Sequence, residues 1–200
     1  MKPSLKSSGI CIAVIGATLT GNATLLLNFD DLSTGPSGSY VGIQNGYGGL
    51  QWSGFGAINA TLLSPPDGYQ AGMISPDNVA FNYDQYDRRA SISSGNVFNL
   101  DSAYLTAQVV EGMQVEVQGF AAGNQLIYNN TYTLSANTPS LINFNYDGIT
   151  QVEFIPLNPN TIFVMDNLTV TAVPEPNPAM LLSLGAVLSS LRVLKRKPRV

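Results

Sequence analysis

The chain has 200 residues and a formal net charge of −4 at pH 7, with no histidine and one cysteine, Cys11. Between residues 24 and 172 only Arg88 and Arg89 are basic, against twelve acids, a formal −10. That balance repels phosphate backbones and excludes nucleic acid; without imidazole or thiol, the stretch also lacks a histidine base, a thiolate nucleophile, a disulfide and an ordinary zinc site. Divalent cations and neutral or weakly charged glycans remain as partners.

The first segment reads as an address. Lys2 and Lys6 form a positive start, Ile10 to Leu19 an apolar run, and Gly21-Asn22-Ala23 a small-residue cleavage site. That order predicts a secretory signal peptide over residues 1–23 and therefore export. Cys11 lies too early in the apolar run to serve as a lipoprotein cysteine.

Residues 24–172 are enough for one domain with a core of its own, about 150 residues. From Thr34 to Ala57 the chain is rich in Gly, Ser and aromatics (Tyr40, Tyr47, Trp52, Phe55), which predicts long loops joining brief strands. Ser64 to Ala90, with Pro65-Pro66-Asp67-Gly68, reads the same way. Beyond it, alternation with a period of two dominates. Ala103, Leu105, Ala107 and Val109 alternate with polar residues, as do Met113, Val115 and Val117, then Ile142, Phe144 and Tyr146, then Val152 and Phe154. Ile162 to Met165 and Leu168 to Ala172 close the domain. Glu111-Gly112, Gly123-Asn124 and Asp147-Gly148 mark turns, and Asp-Gly between alternating runs is a strong hairpin signal. The expected fold is all-β, an antiparallel β-sandwich with no convincing amphipathic helix.

Four short segments carry a resemblance: Phe29-Asp30-Asp31-Leu32, Tyr47 to Phe55, Asn78 to Asn82, and Phe163 to Val170. They resemble secreted microbial jelly-roll domains that look like carbohydrate-binding modules of the galactose-binding-like type. The resemblance implies a structural Ca²⁺ near the first and last strands, held by Asp30, Asp31 and Asp166 with backbone carbonyls. Calcium takes six to eight oxygens, so three acids plus carbonyls suffice chemically. The alternative is that these acids cap turns and protect an edge strand.

Tyr40, Tyr47 and Trp52, with Phe55, are candidate ligand-binding residues, because apolar sugar faces pack on aromatic planes. Against that, a lone tryptophan in a sandwich is more often buried, and core burial is the favoured reading for Trp52. Asp84 with Asp87, or Asp67 with Asp77, are the pairs a glycoside hydrolase would need at about 5–9.5 Å. The same residues equally describe a solvated loop with local ion pairing.

The last twenty-eight residues, 173–200, have three parts. Val173-Pro174-Glu175-Pro176 is held extended by its prolines. An apolar run follows from Ala179 to Leu191, and Arg192, Lys195, Arg196, Lys197 and Arg199 close the chain. By the positive-inside rule the basic end stays cytoplasmic. Ala179 to Leu194 as a helix is about 24 Å long, short against a hydrocarbon core of roughly 30 Å, which suits a brief or tilted anchor. The alternative is an amphipathic helix packed on the domain, but the run lacks a polar face.

This tail resembles the PEP-CTERM sorting signal of exopolysaccharide-producing Gram-negative bacteria. The resemblance implies an exosortase-type membrane transpeptidase as partner, transient membrane residence through the C-terminal transmembrane helix, and processing near the motif. It places the chain at the inner membrane before processing, then at the cell surface or in the extracellular matrix. The expected function is a non-enzymatic exported protein associated with polysaccharide. A carbohydrate-binding module with a defined glycan site and a carboxylate-pair hydrolase are the alternatives.

Overall fold

A computed structural model describes residues 22–63, 67–83 and 88–173. The expected signal segment, apart from Asn22 and Ala23, lies outside them, as do Pro174, Glu175, Pro176, the apolar tail, its basic end, and Asp84 and Asp87.

Ten strands account for most of the described chain: β1 (Ala23–Leu27), β2 (Val41–Gly42), β3 (Gln51–Ser53), β4 (Phe55–Asn59), β5 (Asn78–Asn82), β6 (Ala90–Ala107), β7 (Met113–Ala121), β8 (Gln125–Leu134), β9 (Ser140–Pro156) and β10 (Phe163–Ala172). All pairings are antiparallel, in the order β2-β4-β5-β10-β6-β9-β7-β8, with β1 added to β10 and β3 to β6. The first and last strands lie side by side, Ala23 opposite Ala172. Alternation produces the core: in β7, Met113, Val115 and Val117 are buried while Gln114 faces solvent.

One ladder makes two layers because its longest strands bend. β6 has 18 residues, about 60 Å if straight, longer than a domain with a radius of gyration of about 15 Å can hold. Register shifts between Ser93 and Ser102 break its pairing with β9 and fold both strands across the core. Phe55 of β4 and Phe154 of β9 stand four ladder steps apart, about 19 Å in a flat sheet. Their ring centroids are 5.8 Å apart, so the two ends of the ladder face each other. The sandwich is filled by one large cluster that includes Phe29, Trp52, Phe55, Leu105, Phe154, Phe163 and Met165.

Two expectations are corrected. Asp147-Gly148 is not a hairpin but lies inside β9, where Gly148 has φ 73° and the pairing with β6 skips between Tyr146 and Ile149. The left-handed tolerance that suits a turn glycine equally suits a bulge. The expected Ser64–Ala90 stretch of loops and brief strands contains, ahead of β5, a one-turn helix that was not expected, α1 (Gly68–Gly72). Asp67 caps α1 by accepting from the Tyr69 N–H at 2.9 Å, while Gln70 Oε1 accepts from the Asp67 N–H at 2.7 Å. Gly68 is required there, since a Cβ would sit 1.9 Å from the Ala107 carbonyl oxygen.

Candidate functional site

The sheet carries apolar residues on both faces where β4, β5 and β10 meet. Phe55, Ala57, Ala80, Phe163 and Met165 point into the main core. Ile58, Val79, Phe81 and Val164, one residue out of phase, form a second cluster on the opposite face with Ala60 and Tyr69. α1 and the segment after β4 cover part of this cluster, and the uncovered part is a cleft of about 490 Å³. Its described lining is Tyr40, Ile58, Tyr69, Phe81, Tyr83, Arg88 and Ile162.

The aromatic wall is continuous. Tyr40 meets Phe81 edge-on at 5.6 Å and Tyr83 at 5.6 Å with a 39° tilt, and Tyr69 meets Phe81 edge-on at 5.4 Å. Tyr40 remains 50% exposed, which leaves ring surface for a ligand. Glycine makes room for the wall. A Cβ on Gly56 would lie 3.3 Å from both the Phe81 and Tyr83 rings, and one on Gly42 3.4 Å from the Tyr83 hydroxyl. Burial pushes the Tyr69 phenol up, the nearby Asp67 carboxylate adds to this, and Arg88 opposes it. Tyr69 therefore stays neutral.

Arg88 is set in place by its backbone. Asn82, fully buried at the end of β5, donates from Nδ2 to the Arg88 carbonyl at 2.8 Å and to the Thr161 carbonyl at 3.2 Å, and its Oδ1 accepts from the Phe163 N–H at 2.7 Å. One carboxamide thus ties the Arg88 segment to β5 and to the entry of β10.

Of the three residues expected to bind ligand, Tyr40 alone lines the cleft. Trp52 is 6% exposed, packed edge-on against Phe29 and Phe55, with Nε1–H donating to the Tyr47 carbonyl at 2.9 Å. It is core and offers no stacking face. Tyr47 lies beside it, and its hydroxyl donates to Asp31 Oδ1 at 2.8 Å. Trp52→Phe should keep the ring packing, lose the indole bond and cost about 1–2 kcal/mol in urea unfolding. No loss would remove that bond from the stability account.

The three acids expected to hold calcium do not converge. Among the described residues no cluster of three metal-ligating side chains is formed. Each carboxylate serves the protein instead. Asp31 takes Tyr47, while Asp30 takes the Asn28 carboxamide at 2.7 Å and the Asn78 N–H at 2.9 Å. Fully buried Asp166 accepts from the N–H groups of Ile74 (2.7 Å), Ser75 (2.8 Å) and Asn167 (2.6 Å) and from the Ser75 hydroxyl at 3.1 Å. Asp166 has its oxygens filled by N–H donors, Asp31 accepts from one hydroxyl, and the three acids share no site among the described residues. A structural calcium at a hundred times its Kd would add about 2.7 kcal/mol; melting should instead be the same in EDTA and in calcium chloride.

A second depression, also of about 490 Å³, is lined by Asp67, Gln70, Gln108, Asn137 and neighbouring small residues. It offers no aromatic face among its described lining, and Asp67 is already occupied by α1 and by the Gln108 amide at 3.3 Å. The aromatic cleft is the better site.

Sequence reasoning missed Tyr69, Phe81 and Tyr83 as one surface. The available signal was Val79, Phe81 and Tyr83 alternating with Asn78, Ala80 and Asn82, two of them buried asparagines. Such a strand has apolar side chains on the face that a simple sandwich leaves wet.

No protein-family model and no curated protein matches the chain, so the PEP-CTERM resemblance rests on the tail residues alone. Among solved structures, a DUF4465 family protein from Bacteroides caccae is similar, with a TM-score of 0.50 and 11% identity over 76% of this chain and 100% of that one. That likeness is one of fold. The K2 cleaved adhesin domain of Lys-gingipain aligns with a TM-score of 0.44 and 13% identity over 76% of this chain and 98% of that one. A carbohydrate-binding module in complex with β-1,4-galactotriose aligns with a TM-score of 0.32 and 7% identity over 64% of this chain and 89% of that one.

Proposed function

We infer that this is an exported, non-enzymatic protein of the cell surface or matrix that holds polysaccharide in the Tyr40 cleft. The supporting observation is a half-exposed tyrosine on a wall of three further aromatic rings, with a guanidinium in the same depression. Pyranose rings present apolar C–H faces to aromatic planes and hydroxyls to polar groups beside them. A hydrolase needs two opposed carboxylates, and the cleft's described lining contains none. A glycan array of the full chain tests the reading. Binding to defined oligosaccharides, lost in Tyr40→Ala, is expected; an array without any specific hit would sink it.

Residues 173–200 direct sorting by an exosortase-type enzyme, with the motif at Val173 to Pro176 and the basic end as a cytoplasmic stop. Deleting 173–200 should release the protein into the medium. Retention of the truncated protein at the inner membrane would contradict the sorting role.

A further inference from the structure

Arg88 and Arg89 are the only basic residues between positions 24 and 172, and Arg88 lines the aromatic cleft. Its Nε–H is buried and has no hydrogen-bond partner among the described residues. The described lining carries no carboxylate to answer it. Buried donors are nearly always satisfied, and an exception asks for a missing acceptor. The residue is also held deliberately: its backbone is left-handed, φ 55°, uncommon for a residue with a Cβ, and Asn82 fixes its carbonyl. A guanidinium has five donors in a planar fork, no acceptor, and keeps its charge at any ordinary pH. Its complement is a carboxylate, whose two oxygens match the fork.

We propose that the cleft selects an acidic sugar, a pyranose carrying a carboxylate, with its ring face on Tyr40 and Tyr83 and its carboxylate on the Arg88 guanidinium. This rests on the glycan reading of the same cleft and names the ligand class. The formal −10 of residues 24–172 narrows it further. A polyuronate would bring dense like charge against the domain, whereas one uronate within or capping a neutral glycan brings only the charge that Arg88 meets.

The test is an NMR titration of the ¹⁵N-labelled full chain with methyl β-glucuronide and methyl β-glucoside, and with the galacto-configured pair. The readout is the arginine Nε–H signal that Arg88→Gln removes, and a glycan array runs beside it. The uronides should shift that signal and bind at least about tenfold tighter than their neutral partners. Arg88→Gln should abolish the preference, and Arg88→Lys should keep part of it while melting like the wild type. Equal affinity for acidic and neutral glycosides, or a preference that survives Arg88→Gln, would overturn the acidic-sugar inference and leave glycan binding standing. If no glycoside titrates, array hits confined to uronate-bearing oligosaccharides and lost in Arg88→Gln support the proposal, and hits confined to neutral glycans overturn it. A blank array together with silent titrations removes both readings.

Discussion

Replacing Asp166 by alanine should cost about 3–5 kcal/mol of stability, since each of several buried donors left without an acceptor costs about 1–3 kcal/mol, and lower the melting temperature by roughly 10 °C or more. The carboxylate is fully buried and serves three backbone N–H groups and a hydroxyl from two different segments. Alanine leaves those donors orphaned between β10 and the segment after α1. Asp166→Asn is the sharper variant, because it keeps the shape but turns an NH₂ towards donors that need an acceptor. It too should destabilise. Burial pushes the Asp166 carboxyl above its ordinary 3.8, with the Ser75, Ile74 and Asn167 N–H groups pulling it back. A raised folded-state value means the folded protein binds the proton more tightly. The stability this adds is complete below pH 3.8 and is lost as pH rises through the folded value. Urea unfolding of wild type and both variants from pH 3 to 7 checks this. Variants as stable as wild type would show that Asp166 does not hold the two segments together.

The double variant Tyr40→Ala/Tyr83→Ala should lose at least about 100-fold in affinity for any oligosaccharide that the array identifies. Each aromatic anchor is assigned about 2 kcal/mol, and every 1.4 kcal/mol is tenfold. Its stability should fall less than that of Asp166→Ala, because Tyr40 is half exposed and Tyr83 partly so. Calorimetric titration beside a thermal melt separates the two effects. Affinity within threefold of wild type would mean the aromatic wall is only a cover for Phe81 and Ile58.

The second half of the body was legible because its strands have one wet face and one dry face. Met113, Val115 and Val117 against Gln114 can be read only one way. The expected sandwich followed from that pattern. The first half was harder, since β2 and β3 have two and three residues, too short for a period to register. Asp147-Gly148 misled because φ above zero is shared by turns and bulges, and only the skip in pairing between Tyr146 and Ile149 tells them apart.

The site was partly hidden for a related reason. Tyr40 is visible as a candidate, but Trp52 and Tyr47, near it in sequence, belong to the main core on the other face. The acids near the first and last strands share no site, because each is taken by donors of its own. Their chemistry depended on N–H groups of Ile74, Ser75 and Asn78, which no composition reveals.

The proposed glycan site is the face of Tyr40, Phe81 and Tyr83. Backbone chemical-shift mapping of the full chain, titrated with the strongest array glycan, tests it directly. The largest shifts should fall on residues 40–42, 56–58 and 81–83 and on Arg88. Shifts centred on Asp67, Gln108 and Asn137 would place the ligand in the second depression and contradict the account.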